Sequence, residues 1–497
     1  MQLLRGALWN TTAKLVQLLL MLVTLTLIGR FAGADSFGAF ALCWVVVGLF
    51  EQVLATALSD GLIQRPTVGP RHFDSMLWLL VLLGAAFAGV VMLASEPIAA
   101  ALGGGSLLAA VLPLRALISP IAAAGCLAQA KLTRAGQFRQ IATIEMLSNI
   151  GSSLLGIALA AADFGIWSLF WMEATRIVGT AIALFIVSGW LPRWQVSVSD
   201  LQSLCRFSSF SVATGLMQFA SRSLPRLLIG HGLGAQALGF YAMAERLCDQ
   251  ALRVLVLPGY DVAKAGAARA QNDRRAIVQL LWAAIGTSSL FAYPMLLGAI
   301  VLMPLAVPLV LGQHWQPAVL LIQLMFVANL RMPLTAFNSA ILIGIGKPQW
   351  NTLSQLANMV VTPLLCLAAL PYGIEAIGVA MIGRGLVLWP IGALALHRTI
   401  GVPIGLQAAA GARHLAAATV MAVAIAMIAH ALTMALADVL VILLCVPIAA
   451  VGYLHALAWL APASWAAIVS VWQRLARGER GLFKSLFVAA SGARPVA

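Results

Sequence analysis

The sequence predicts an all-α integral membrane protein. Of its 497 residues 62% are apolar and only 9% charged, the mean hydropathy is +0.98, and the apolar residues gather in runs long enough to cross a bilayer. A soluble globular domain carries about 25% charged residues, and each spanning helix needs roughly 20 apolar residues to cross a hydrocarbon core about 30 Å thick. A soluble enzyme is therefore excluded, and little chain is left for an extramembrane domain.

Fourteen runs have the length and composition of a span, at about 10–29, 38–59, 75–95, 107–128, 141–162, 166–188, 208–230, 237–260, 280–310, 318–343, 351–370, 375–396, 414–436 and 438–460. The ninth is long and contains Pro294, Pro304 and Pro308, which predicts one bent helix and not two. The first run lacks a small-residue cleavage site and is followed by more spans, so it is expected to be retained.

Cytoplasmic loops concentrate Lys and Arg. With the N-terminus placed inside, 21 of the 30 Lys and Arg fall on inner segments, among them Arg65, Arg71, Lys131, Arg134, Arg274, Arg275 and Lys347. Outer loops hold Arg30 and acids such as Asp35, Glu96, Asp163, Glu375 and Asp438. Both termini are thus expected in the cytoplasm. Trp9, Trp78, Trp167, Trp190, Trp282, Trp350 and Trp459 lie near span ends, where either an interfacial belt or packing accounts for them. Residues 466–497 form a basic tail with Trp472, Leu475, Leu482, Phe483 and Leu486, a pattern suited to an amphipathic helix on the inner leaflet. Cys43, Cys126, Cys205, Cys248, Cys366 and Cys445 sit in apolar segments without metal or disulfide spacing.

The chain repeats itself. LIGRFAGADSFGAFAL at 27–42 and LIGHGLGAQALGFYAM at 228–243 share seven identities in sixteen at an offset of 201. Phe164-Gly165-Ile166 leading to Arg176 matches Tyr372-Gly373-Ile374 leading to Arg384 at an offset of 208. Six spans separate the copies, which predicts two parallel six-helix lobes, 1–206 and 207–400, then two appended spans over 401–465. Parallel repeats of this kind place a pseudo-twofold axis along the membrane normal and a substrate site between the halves.

Charged residues inside spans cost at least about 2.5–3.5 kcal/mol each, so they pair or face a wet cavity. Eight arginines (Arg115, Arg176, Arg222, Arg226, Arg246, Arg253, Arg331, Arg384) accompany five acids (Glu51, Glu145, Glu173, Glu245, Asp249). Asp249 with Arg253 and Glu173 with Arg176 have the spacing of helix-face pairs. Arg115, Arg331 and Arg384 lie deep in their spans without an acid nearby in sequence, and Arg222 with Arg226 share a face suited to gripping phosphate. The candidate substrate-binding residues are therefore Arg115, Arg176, Arg222, Arg226, Arg331 and Arg384, and surplus arginine predicts an anionic substrate. Glu51, Glu245 and Asp249 are the candidates for ion coupling, because a carboxylate within the bundle can titrate or hold a cation. No nucleophile–base arrangement, Walker loop or metal spacing occurs, so no enzymatic activity and no cofactor is expected, and no nucleic-acid partner.

At this level the chain resembles the Wzx-type polysaccharide flippases of the multidrug/oligosaccharidyl-lipid/polysaccharide exporter superfamily. The resemblance covers residues 3–400. It rests on LLRGALWN at 3–10, LIGRFAGADSFGAFAL at 27–42, SDGLIQRP at 59–66, AKLTRAGQFRQIA at 130–142, DFGIWSL at 163–169 and LLIGHGLGAQALGFYAMAERL at 227–247 followed by Pro258. It implies a V-shaped pair of six-helix lobes in the bacterial inner membrane. It also implies an undecaprenyl-pyrophosphate-linked oligosaccharide as substrate, flipped for exopolysaccharide, capsule or O-antigen synthesis alongside a polymerase and export machinery. Pro225 stands where relatives often carry an Asp, and no charge lies between Lys14 and Arg30, which sets the chain apart from lipid II flippases. A multidrug antiporter of the same fold and a lipid II flippase are the alternative readings.

Overall fold

The computed structural model describes residues 2–65 and 68–476, and every regular element among them is helical. In chain order these are α1 (Gln2–Gly48), a π-helical turn (Leu49–Ala55), α2 (Thr56–Gln64), α3 (Pro70–Leu93), α4 (Ser95–Ala101), α5 (Gly105–Leu117), α6 (Ser119–Arg134), α7 (Phe138–Ala161), α8 (Ile166–Ser188) and α9 (Val198–Leu255). The chain continues through α10 (Leu257–Arg269), α11 (Arg274–Leu311), α12 (Val319–Asn329), α13 (Met332–Gly344), α14 (Gln349–Ala369), α15 (Ile374–Ile400), α16 (Ile404–Ala409), α17 (Ala412–Thr433), α18 (Asp438–Leu460) and α19 (Pro462–Ala476). The expected amphipathic tail lies, beyond Ala476, outside the described residues.

Among the described residues ten helices are long and apolar enough to cross a membrane, or twelve if each of two bent pairs is one span. The bent pairs are a departure from the continuous spans expected at 107–128 and 318–343. Both bend by 44°, one between Leu117 and Ser119 and the other between Asn329 and Met332. The cause is local. Pro120 and Pro333 each stand in the first turn of the second member, and a proline there cannot donate to the preceding turn and crowds it. The long proline-bearing run is, as expected, one helix, α11.

Two of the longest helices are not continuous either. α1 is interrupted at Gly33 (φ 73°, ψ 162°) and α9 at Gly234 (φ 83°, ψ 176°), a backbone region that is essentially glycine's alone. These glycines occupy the same position of the repeated sixteen-residue segment. The second repeated segment behaves alike, since Gly165 and Gly373 both precede their helices with positive φ, 52° and 89°. Sequence identity thus marks the places where the chain must turn.

By packing, the chain divides into two units, Met1–Ala242 and Met243–Ala497. In the first unit the repeated segments lie against each other. A Cβ on Gly38 would strike the carbonyl of Ala235, and one on Gly239 would strike the carbonyl of Ala34. Next to them, His231 Nδ1 lies 2.7 Å from the Ala101 carbonyl oxygen. At another edge of this unit Trp190 is buried, its indole donating to Asp74 at 2.9 Å with Lys131 over the ring, so this tryptophan packs and does not belong to a belt.

In the second unit the appended helices α17 and α18 pack on α11 through Leu290, Tyr293, Ala417, Met421, Ile425, Val441 and Cys445. Tyr453 donates its hydroxyl to the Leu290 carbonyl at 2.8 Å. His414 is buried between Ser289 (2.9 Å) and Ser464 (2.8 Å), tying α17 to α11 and α19. Large apolar side chains such as Leu82, Leu93, Leu386 and Met427 remain exposed, which suits a hydrocarbon surround.

Candidate functional site

The intramembrane charges separate into two groups. In the first unit the π-helical turn carries Glu51, the end of α5 carries Arg115 just before the bend, and α8 carries Glu173 and Arg176. Arg115, only 2% exposed, donates from Nη1 and Nη2 to the two Glu51 oxygens at 2.8 and 2.9 Å. Its Nη2 is also 3.9 Å from Glu173. Ser119, on the far side of the bend, donates to Glu51 at 3.3 Å. Arg176 grips Glu173 through Nε at 3.1 Å and Nη2 at 2.5 Å.

Arg115 therefore departs from the expectation that it lacks an acid. Its partner is remote in sequence and is brought in by the fold: the helix break ends α5 beside the π-helical turn, and the extra residue of a π turn re-aims its side chains. Two guanidiniums and two carboxylates interlock here, the arrangement that makes buried charge tolerable. The expected Glu173–Arg176 pair is present. Nearby, Gln129 donates to Glu145 at 2.9 Å. Sequence reading passed over Ser119 and Gln129, and only the proline-marked bend hinted at the former.

The second unit is different. Arg331 sits at the break between α12 and α13 and Arg384 in the middle of α15. Arg331 lies across α15 against Gly385, the residue that follows Arg384, so the two like charges are neighbours. Both side chains are half-buried, both Nε atoms are sealed from solvent without a hydrogen-bond partner, and among the described residues neither guanidinium makes an ion pair. Gly385 provides the room: a Cβ there would collide with Nε and Cδ of Arg331. This glycine was not singled out from the sequence, where nothing distinguishes it from its neighbours.

The remaining candidates lie apart from these groups. Arg222 is exposed and Arg226 half-buried on α9. On the same helix, beyond the Gly234 kink, Glu245 is half-buried and Asp249 exposed, and neither is without a partner. The pair expected between Asp249 and Arg253 is not formed, as Arg253 makes no ion pair among the described residues. Four-residue spacing allows such a pair but does not impose it, and Asp249 has an interaction elsewhere. Among the described residues no group of His, Cys, Asp and Glu could hold a metal.

Broken apolar helices, two units and internal arginines define a multi-pass membrane protein with the fold of known exporters. The structure is similar to that of a lipid II flippase MurJ in an inward closed conformation, with a TM-score of 0.75 at 13% identity over 91% of this chain and 98% of that one. It is also similar to an inward-facing multidrug resistance MATE family transporter of the MOP superfamily, with a TM-score of 0.61 at 16% identity over 77% of this chain and 94% of that one.

The chain belongs to the polysaccharide biosynthesis protein family, which it matches over residues 27–320. Relatives include the succinoglycan biosynthesis transport protein ExoT of Rhizobium meliloti, 24% identical over 62% of both chains. The lipopolysaccharide biosynthesis protein WzxC of Escherichia coli is 23% identical over 65% of this chain and 66% of its own. The teichuronic acid biosynthesis protein TuaB of Bacillus subtilis is 22% identical over 70% and 72%. The matched region thus spans somewhat under two thirds of ExoT and WzxC.

Proposed function

We propose that this chain is a flippase that carries an undecaprenyl-pyrophosphate-linked oligosaccharide repeat unit from the cytoplasmic to the periplasmic leaflet of the inner membrane for exopolysaccharide, capsule or O-antigen assembly. The observation that carries this reading is an excess of arginine over acid inside the spans of a chain that belongs to a polysaccharide biosynthesis family. A charged headgroup crossing a bilayer needs a polar path with the opposite sign, while a polyprenyl tail can stay in lipid. That three named relatives each serve a different surface polymer supports a shared lipid-linked carrier as the substrate class.

In this reading the chain makes fourteen spans with both ends inside. The kinks at Gly33 and Gly234 support that count, because each divides one long helix into two. Arg222, Arg226, Arg331 and Arg384 serve the anionic headgroup. Arg115 and Arg176 act one step removed, holding Glu51 and Glu173. Glu245 and Asp249 are the coupling carboxylates, and Glu51 contributes only when Arg115 releases it. The sequence division at 206 marks the repeat, with the appended spans and tail following 400. A polymerase and export machinery act downstream on the product. The fold shared with the MATE transporter favours a multidrug antiporter as the second reading, but such a carrier needs open acids, and Glu51 and Glu173 are occupied by arginine.

Deletion of the gene in its own host tests the proposal. Lipid-linked repeat units should accumulate on the inner leaflet and surface polymer should vanish, with both restored by the parent gene. Unchanged polymer with an altered drug tolerance would overturn it in favour of the antiporter.

A further inference from the structure

The two units treat their arginines oppositely, and the repeat explains how. Arg176 and Arg384 correspond at the offset of 208, while Arg115 and Arg331 each stand at a 44° helix break. The offset that aligns Gly33 with Gly234 puts Leu252 at the place of Glu51, and the offset that aligns Gly165 with Gly373 puts Met381 at the place of Glu173. The second unit has kept two arginines and lacks both counter-ions.

Two neighbouring half-buried guanidiniums of like charge that leave their Nε groups unbonded are costly, since each buried unpaired donor loses its hydration without recompense. What the first unit supplies with two carboxylates, a ligand must supply in the second. The chemistry that fits is a multiply charged oxyanion: two planar donor forks match the oxygens of phosphate or diphosphate, and partial exposure leaves their outer nitrogens within reach. A single halide offers one contact point and cannot use both forks.

We infer that Arg331 and Arg384 form a binding site for a phosphate-class oxyanion, with Gly385 as the residue that lets Arg331 lie across α15. The flippase reading enters only in naming the natural source, the diphosphate of the lipid-linked substrate as opposed to a free anion.

The test uses the purified full-length protein. Inorganic pyrophosphate binding is measured by titration calorimetry, with chloride at matched ionic strength as the comparison, for the parent and for Arg331→Met, Arg384→Met, Met381→Glu and Arg398→Gln. Arg398 is exposed on α15 and outside the site. The parent and Arg398→Gln should bind pyrophosphate alike, and each of the other three should lose about tenfold or more. Met381→Glu restores the acid that the first unit has and should raise the thermal midpoint while it removes binding, which separates site loss from misfolding. Pyrophosphate binding that survives in the Arg331→Met and Arg384→Met proteins, or a response that chloride reproduces, would overturn the site. Undecaprenyl pyrophosphate in phosphatidylcholine vesicles distinguishes the sources: Arg384-dependent binding there supports the lipid headgroup, and Arg384-dependent binding of inorganic pyrophosphate alone supports a free anion. A chain that binds pyrophosphate through these arginines yet flips no lipid would overturn the transport reading and leave the site standing.

Discussion

Gly38 and its repeat counterpart Gly239 make the same contact in opposite directions, Gly38 against the carbonyl of Ala235 and Gly239 against the carbonyl of Ala34. Such reciprocity is the geometry of a local twofold axis, here written into one chain by duplication. Main chain meets main chain, so neither side can yield. Gly38→Leu and Gly239→Leu should each cost about 1–3 kcal/mol or more by overpacking and reduce the folded yield in detergent chromatography. Gly89→Ala, where nothing lies within 4 Å, should behave as the parent.

The kinks make a separate demand. No atom crowds Gly33 or Gly234, so a methyl group there meets no obstacle, only a forbidden backbone conformation. Gly33→Ala and Gly234→Ala should each lower stability by about 1–3 kcal/mol and by similar amounts. Thermal denaturation of the two variants side by side checks this, and unequal losses would show that the repeats differ in how much of the fold each kink carries.

Removing an arginine should have opposite consequences in the two units. Arg115→Met strands Glu51 in a buried site and should destabilise the protein by about 3–5 kcal/mol, while pairing it with Glu51→Gln should recover much of the loss. Arg384→Met relieves repulsion and should leave stability unchanged or improved. Folded fraction against temperature for the three proteins reads all of this in one experiment.

How much of this was legible beforehand follows from what sequence encodes locally. Hydropathy runs located the long apolar helices, though not their breaks, because bilayer thickness acts on consecutive residues. Each repeated segment lay at the junction of two expected spans, and the structure puts a kink there at one glycine in each copy, since φ is a property of one residue. The Glu173–Arg176 pair was legible because it lies within one helix turn. The Arg115–Glu51 pair was not, since 64 residues separate its members and only a bent helix meeting a π turn joins them. The isolation of Arg331 and Arg384 was expected from the lack of acids nearby in sequence, and among the described residues no distant acid pairs with either. Gly385 escaped notice because its role exists only once Arg331 has been placed.

The appended helices are tied in part by the buried polar contact of His414. His414→Leu leaves the Ser464 hydroxyl buried without its His414 partner and Ser289 with the Gly286 carbonyl alone, and should cost about 1–3 kcal/mol. Limited proteolysis should then cut between α16 and α17 faster than in the parent, while His414→Asn, which can keep one of the two bonds, should be intermediate.

Orientation is open to direct test. Reporter fusions at Gly103, His231 and Gly312 should read periplasmic, and fusions at Gly136, Gly266 and Gly411 cytoplasmic. An inverted reading at His231 would contradict both the span count and the parallel sense of the repeat.

The central claim is transport of a lipid-linked oligosaccharide, and reconstitution measures it most directly. Full-length protein is placed in vesicles with undecaprenyl-pyrophosphate-linked oligosaccharide confined at first to one leaflet, and appearance of the sugar on the other leaflet is followed by its accessibility to an added glycosidase. The parent should equilibrate the substrate far faster than protein-free vesicles, and Arg384→Met should be as slow as no protein. Equal rates with and without the protein, under imposed proton and sodium gradients as well as without them, would contradict the account.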